Sequence, residues 1–203
     1  MVESFLTISG PSEGIYKEKG SKFLAFAYPV RNETEVQHAL VGLRKKYYDA
    51  RHHCYAYVLD PDKSRYRAND DGEPNHSGGD PILGQIRSRD LTDVLVIVVR
   101  YFGGVKLGVG GLVNAYRTAT ADALGKAIVV QCEVKESYSL KYQYKDTSDV
   151  MRLMNDVDAY IVNQEFDEDC HVMFEVKVGL VDQLKQRVKL FHDLGMNCQL
   201  DPL

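Results

Sequence analysis

The chain lacks several features that would mark it as a secreted, zinc-binding or membrane protein. Tryptophan is absent, and the four cysteines among its 203 residues are scattered without a CxxC pair. We therefore expect neither a disulfide framework nor a zinc knuckle, but free thiols in a reducing compartment. The longest uninterrupted apolar run, residues 94–99, is far too short to span a bilayer. The first residues also lack the basic and apolar regions of a signal peptide, so we expect a cytoplasmic protein without a membrane partner.

A strong excess of positive charge is missing as well. The formal net charge is -4 at pH 7, which excludes a strongly basic coat for nucleic acid. The charge is uneven, however. Residues 1–132 contain 17 Lys and Arg against 15 Asp and Glu, whereas residues 133–203 contain 8 against 14. The hydrophobic pattern changes at the same point, so we predict two domains, 1–132 and 133–203, joined by a short connection.

The hydrophobic pattern predicts an α+β protein. In the first domain, period-two alternation and apolar runs predict strands. These strands are expected at residues 14–19, 21–30, 54–59, 94–99 and 128–134. Asn32 is expected to cap one helix, a second helix should cover residues 112–124, and residues 69–84 should form a long polar loop. In the second domain, the hydrophobic periodicity predicts strands and helices in the order βαββαβ, which is the order of the ferredoxin-like fold.

The first segment that could carry chemistry is residues 51–54, at the start of a strand. Adjacent residues of a strand face opposite sides, so His52 and His53 cannot both bind one metal. His53 is a candidate proton carrier, and a buried histidine bonded to the backbone is the plainer alternative. We expect Cys54 to be a buried, inert thiol, because a nucleophile would need a neighbouring cation or base to lower its pKa.

The second segment, residues 67–81, is a polar stretch that we call the acidic loop. Asp70, Asp71 and Glu73 could attract Mg²⁺, although turn chemistry explains the same residues equally well. A polar loop of this length is uncommon in a compact domain unless it binds something. One hypothesis is therefore a metal-dependent hydrolase of a nucleotide or phosphoester, in which His53 or His76 moves a proton.

The third segment, residues 100–113, runs from a buried strand through closely spaced glycines into a helix. Glycines allow a ligand to approach the backbone closely, and the amides at a helix start favour an anion. The spacing fits neither the dinucleotide fingerprint nor a Walker loop. Tight packing of the helix on the strand is the alternative explanation of these glycines. The predicted phosphate-binding residues are Arg100, Gly103, Gly104, Lys106, Gly108, Gly110 and Gly111.

Taken together, these segments resemble the YigZ/IMPACT family. The resemblance rests on residues 20–23, 53–57, 70–74, 81–83 and 100–116, and it covers roughly residues 15–127. It implies a first domain with the ribosomal-protein-S5 domain 2-like fold and a ferredoxin-like second domain similar to elongation-factor-G domains. Eukaryotic relatives are implicated in translational control, and for bacterial relatives an association with nucleic acid or the ribosome is proposed.

The chain departs from the family pattern in the acidic loop. Residues 75–79 read Asn-His-Ser-Gly-Gly where the family usually has Ser-Gly-Thr-Ala-Gly, and Asp80 replaces a basic residue. If this loop contacts phosphates in relatives, the contact should be weaker here at neutral pH and should recover in part when His76 is protonated.

Three functions remain open at this point. The first is a translation-associated regulatory or binding protein that uses residues 100–113 to contact RNA, the ribosome or another phosphate-bearing ligand, without a cofactor. Its other expected partner is a protein of the translation apparatus. The second is the hydrolase described above, which alone requires Mg²⁺, and the third is protein binding through the second domain's exposed sheet face. The expected nucleic-acid contacts are Lys22, Arg51, Arg67 and Tyr101.

Overall fold

The computed structural model of the protein describes residues 2–167 and 169–203 and shows mixed α+β architecture with antiparallel sheets. The chain divides into two compact units. The first unit is Phe5–Cys132, and the second is Glu133–Leu203 together with residues up to Ser4. Within the described residues, no helix combines the length and the apolar character needed to cross a membrane.

Strands and helices alternate irregularly through the first part of the chain. The strands are β1 (Ser4–Ile8), β2 (Ser12–Glu18), β3 (Ser21–Pro29), β4 (His52–Leu59), β5 (Arg65–Asn69), β6 (Val94–Tyr101) and β7 (Val129–Glu133). The helices are α1 (Glu33–Lys46), α2 (Gly79–Ser88) and α3 (Gly108–Lys126). Among the described residues, one antiparallel sheet has the order β2-β3-β6-β4-β5, and β1 pairs with β7.

The central strand β6 is buried on both faces of the five-stranded sheet, as its uninterrupted apolar sequence predicts. Because side chains alternate along a strand, β6 contributes to two separate cores. Val94, Val96 and Val98 pack with residues of α2 and α3. Leu95, Ile97 and Val99 pack with residues of α1. We therefore call the two sides of this sheet the α3 face and the α1 face.

Helix α1 begins where the sequence predicts. The Asn32 side chain accepts a hydrogen bond of 2.9 Å from the Glu35 backbone N–H. The Glu35 carboxylate in turn accepts one of 2.9 Å from the backbone N–H of Arg31. The first bond satisfies an amide that a helix start otherwise leaves without a partner, and such a cap contributes about 1 kcal/mol. The second bond holds the residue that precedes the cap.

Four elements differ from the sequence-based expectation. The prediction of a loop throughout residues 69–84 is wrong, since α2 begins at Gly79. The helix tolerates Pro81 because this residue lies in the first turn, where its missing N–H would have no partner. A Cβ at Gly79 would lie 2.5 Å from the backbone nitrogen of Asn69, so only glycine fits this close approach. Strands β1 and β5 were also not predicted. Helix α3 begins at Gly108, so part of the predicted glycine-rich loop is the first turn of a helix.

The second unit has the predicted order of strand, helix, strand, strand, helix, strand. Its elements are β8 (Lys135–Gln143), α4 (Thr147–Asp156), β9 (Tyr160–Glu165), β10 (Asp169–Lys177), α5 (Val181–Asp193) and β11 (Cys198–Pro202). The sheet is antiparallel, with the order β11-β8-β10-β9. Cys170, Val172 and Phe174 on β10 pack into a core with residues of both helices.

Candidate ligand-binding site

Strand pairing decides which of the predicted site residues can meet. Directly opposite residues of antiparallel strands share a face, and Arg100 lies opposite both Phe23 and His52. These three side chains form a row on the α3 face. The next row, which contains His53 and its partner Val99, belongs to the α1 face.

A cavity of about 430 Å³ opens on the α3 face beside the start of α3, and we call it the α3 cavity. Its polar lining consists of Arg51, His52, Glu73, Arg100 and Lys106. Its other lining residues are Pro74, Phe102, Leu107, Gly108, Val109 and Leu112. The cavity therefore brings the glycine-rich segment, residues 100–113, together with Glu73 and Pro74 of the acidic loop.

The first turn of α3 offers backbone amides without a side-chain cap. Leu107 occupies the N-cap position and makes no capping hydrogen bond, and the first turn contains no acidic residue. The positive end of this 19-residue helix is thus not neutralised by its own side chains. Arg51 and Lys106 line the same cavity, are exposed, and form no ion pair or hydrogen bond within the described part of the chain.

Arg100 lies in a buried network at the cavity. Its Nη1 donates a hydrogen bond of 2.5 Å to Glu73 Oε1, which also accepts one of 2.9 Å from the Tyr116 hydroxyl. The side chains of Arg100 and Glu73 are only 7% and 3% exposed, and burial raises the pKa of Tyr116. The Arg100 charge is balanced by Glu73, so the unpaired positive charge of the cavity comes from Arg51 and Lys106.

Two aromatic rings flank the Arg100 guanidinium. Its Cζ lies 5.5 Å from the centroid of Phe23 and 5.6 Å from that of Phe102. The Arg100 Nε atom is buried and has no hydrogen-bond partner among the described residues. Arg100, which the sequence predicts to bind phosphate, thus lines the cavity, while its hydrogen bond and both of its ring contacts are made within the protein.

The predicted glycines differ in what requires them. A Cβ at Gly103 would lie 1.9 Å from the carbonyl carbon of Gly20, so glycine permits a close approach of two backbone segments. Gly104 and Gly108 have φ angles of +87° and +70°, which favour glycine. A Cβ at Gly111 would lie 3.0 Å from the Cβ of Leu107. A Cβ at Gly110 would meet nothing within 4 Å, and only Gly108 among the predicted glycines lines the cavity.

Asp70 organises the acidic loop. Its Oδ1 accepts hydrogen bonds of 2.8 Å from the backbone N–H groups of Gly78 and Gly79, and its Oδ2 accepts one of 2.9 Å from that of His76. Burial alone would raise the pKa of Asp70, but these three donors hold it below its ordinary value. The carboxylate therefore fixes the loop against the start of α2.

Asp71 and His76 also have partners within the protein. Asp71 Oδ1 accepts a hydrogen bond of 2.7 Å from Arg44, and its Oδ2 accepts one of 2.7 Å from the backbone N–H of His53. His76 Nδ1 lies 2.6 Å from Asp80 on the surface. No group of three or more His, Cys, Asp or Glu side chains in the described residues could hold a metal. The structure thus does not favour the metal-dependent hydrolase.

The histidine at the cavity is His52, whereas the sequence singled out His53. His53 is 4% exposed on the α1 face, and burial, with the nearby Arg44, lowers its pKa. His52 Nδ1 lies 2.9 Å from the carbonyl oxygen of Asp71, which can only accept, so Nδ1 carries a proton. The signal that distinguishes the two is strand register, because His52 lies opposite Arg100.

The predicted nucleic-acid contacts are divided between the two faces of the sheet. Lys22 lies opposite Tyr101 in the row next to Arg100, and so on the α1 face. The Tyr101 hydroxyl donates a hydrogen bond of 2.7 Å to Asp49, which, with burial, raises the pKa of Tyr101 to about 12. Arg67 lies on the edge strand β5 and also belongs to the α1 face. Of these four residues, the cavity contains only Arg51.

Comparisons with known proteins extend over both units. Residues 19–124 match the family model of the Impact N-terminal domain. The chain is 30% identical over 167 residues to the IMPACT family member YigZ of Escherichia coli (strain K12). This match covers 81% of the present chain and 82% of YigZ. The chain is 36% identical over 131 residues to the IMPACT family member YvyE of Bacillus subtilis (strain 168), covering 64% of this chain but 60% of YvyE.

One solved structure, described as that of a hypothetical protein, is similar over the whole chain. It has 26% sequence identity and a TM-score of 0.76, and the match covers 100% of this chain and 98% of that one. Both units therefore have a counterpart among experimental structures.

Proposed function

The chain belongs to the IMPACT family, and we propose that its first unit binds a phosphate-bearing ligand in the α3 cavity. RNA or the ribosome is the ligand class that we propose, with regulation of translation as the setting, because the family resemblance implies both. A protein of the translation apparatus is the second proposed partner.

The observation that carries this proposal is the meeting of three sources of positive charge at one cavity. The uncapped first turn of α3 supplies the positive end of a helix dipole, and the side chains of Arg51 and Lys106 supply two unpaired charges. An anion at a helix start gains about 0.3–1 kcal/mol from the dipole, and charge-assisted hydrogen bonds to the two side chains would add to this. The cavity is therefore positive although the whole chain has a net charge of -4.

The proposal for the folds follows the same family resemblance. We propose the ribosomal-protein-S5 domain 2-like fold for residues 1–132. For residues 133–203 we propose the ferredoxin-like fold, similar to elongation-factor-G domains. The βαββαβ order and the antiparallel strand order β11-β8-β10-β9 support the second proposal.

A salt titration of RNA binding tests the function. Fluorescence anisotropy would follow a labelled single-stranded RNA oligonucleotide between roughly 50 and 200 mM salt. We expect the affinity to fall with salt concentration, and Lys106→Met to weaken binding and to reduce the logarithmic salt slope by about 0.7–1. Lys45→Met is the matched control, because it removes the same charge from an exposed position on helix α1 that neither lines the cavity nor belongs to the predicted nucleic-acid contacts.

Two results would contradict the proposal. One is binding that does not respond to salt, since contacts to phosphates release counterions. The other is an equal effect of Lys106→Met and Lys45→Met, which would show that the location of the charge is irrelevant.

A further inference from the structure

We infer that the α3 cavity accepts a single unstacked nucleotide, with its base against Phe102 and its phosphate at the first turn of α3. This inference rests on the proposed function and specifies which part of a nucleic acid enters the cavity. It selects an unpaired strand or a free nucleotide over a double helix.

Phe102 is the residue that points to a flat ligand. It lines the cavity, yet 53% of its surface is exposed. Its ring lies beside the guanidinium of Arg100, which is itself held by Glu73. The buried, paired Arg100 guanidinium therefore lies against this ring, and a base could stack on the part of the ring that remains exposed. Base stacking on such a ring is sequence-tolerant and contributes substantially to the binding of single strands.

The rest of the cavity has two kinds of surface. Leu107, Val109 and Leu112 continue the apolar wall, while Arg51 and Lys106 supply the charges. Inorganic phosphate would satisfy the charges but would leave the apolar wall uncovered, whereas a nucleotide has a phosphate and a flat base. The volume of about 430 Å³ falls in the lower part of the range for small-molecule sites, which suits one nucleotide.

A double helix does not meet these requirements. In a duplex, the faces of the bases are stacked on one another, so none of them can lie against Phe102 unless it leaves the stack. A single strand presents base faces without this cost. The geometry therefore predicts that the protein discriminates between an RNA strand and the same strand paired with its complement.

Isothermal titration calorimetry with three small probes tests the inference. The probes are adenosine 5′-monophosphate, ribose 5-phosphate and inorganic phosphate, each titrated into the full chain and into Phe102→Leu. We expect Phe102→Leu to weaken the binding of adenosine 5′-monophosphate about tenfold, because a stacking contact is lost, and to leave the binding of ribose 5-phosphate unchanged. Phe166→Leu, at a phenylalanine that is 55% exposed in the second unit, is the matched control.

The outcomes separate this inference from the proposed function. If Phe102→Leu binds adenosine 5′-monophosphate as well as the unaltered protein does, while Lys106→Met weakens it, the inference is wrong and the proposed function stands. If none of the three probes binds and RNA does not bind, both are wrong. Equal affinity for single-stranded and duplex RNA would also overturn the inference. An unchanged urea midpoint of Phe102→Leu shows that the fold is intact, as expected for a half-exposed side chain.

Discussion

Replacing Glu73 with Gln tests the buried charge network at the α3 cavity. Gln has nearly the shape of Glu and keeps an oxygen that can accept from Arg100 and Tyr116, but it removes the negative charge. Because the Arg100 side chain is only 7% exposed, its positive charge would then be left without a counterion in the protein interior. The change therefore isolates the electrostatic contribution of the pair from its packing.

The expected loss of stability is large. Removing one partner of a buried ion pair costs about 3–5 kcal/mol, since desolvation of the remaining charge is no longer compensated. We expect Glu73→Gln to lower the free energy of unfolding of the first unit by about 3 kcal/mol. This value is at the lower end of the range because the amide oxygen of Gln can still accept a hydrogen bond. The double substitution Glu73→Leu with Arg100→Met should lower the free energy of unfolding by clearly less than the sum of the losses for Glu73→Leu alone and Arg100→Met alone. The reason is that the double substitution leaves no unpaired charge.

Urea unfolding followed by circular dichroism measures these differences. Lys126→Gln serves as the control, since it breaks an exposed pair with Asp122 in the same unit and should cost less than about 1 kcal/mol. A loss for Glu73→Gln no greater than that of the control would refute the reasoning. It would mean that Arg100 reaches water or another partner when Glu73 is neutral.

Three further predictions concern packing, reactivity and pH. Gly103→Ala should lower the free energy of unfolding, measured with urea, by about 1–3 kcal/mol, because the new Cβ would overlap the Gly20 backbone. Gly110→Ala, which places a Cβ in open space on a helix, should raise it by up to about 1 kcal/mol. Equal effects of the two substitutions would contradict the close approach of Gly103 to Gly20. Burial raises the pKa of the Cys54 thiol, so iodoacetamide should label it at pH 8 only after unfolding, and rapid labelling of the folded protein would count against this. The pKa of His53 lies below its ordinary value of 6.5 in the folded chain, so the unfolded chain binds more protons and stability should fall as the pH drops below about 6.5. His53→Leu should lose this dependence in urea titrations, and an unchanged slope would show that other groups cause it.

The sequence allowed the second unit to be predicted better than the first. Each of its strands and helices shows the hydrophobic periodicity of its type, so the order βαββαβ can be predicted from local sequence patterns alone. In the first unit, Asp-Gly and Glu-Pro pairs suggested a loop through residue 84, and the helical spacing of Ile82 and Ile86 after Pro81 was the signal that this interpretation missed. Turn residues and a helix start look alike in sequence, because both favour Asp, Gly and Pro.

The segments that line the α3 cavity could be singled out from the sequence, but their assembly into one cavity could not be predicted from it. The segments around residues 51, 73 and 100–108 were all singled out, and they do line one cavity. Their division between two faces depends on the pairing of β4 with β6, which local periodicity does not determine. Alternation shows that His52 and His53 face opposite sides, and only the register with Arg100 shows which of them faces the α3 cavity.

The departure of this chain from the family pattern has a different consequence from the one that its sequence suggests. The exchange of a basic residue for Asp80 was expected to weaken phosphate contact, with recovery when His76 is protonated. His76 and Asp80 instead pair with each other on the surface, and neither residue lines the α3 cavity. The pair lies outside the cavity, so it does not alter the positive lining formed by Arg51 and Lys106. The affinity of the cavity for phosphate should therefore depend on Lys106, which lines the cavity, and not on His76.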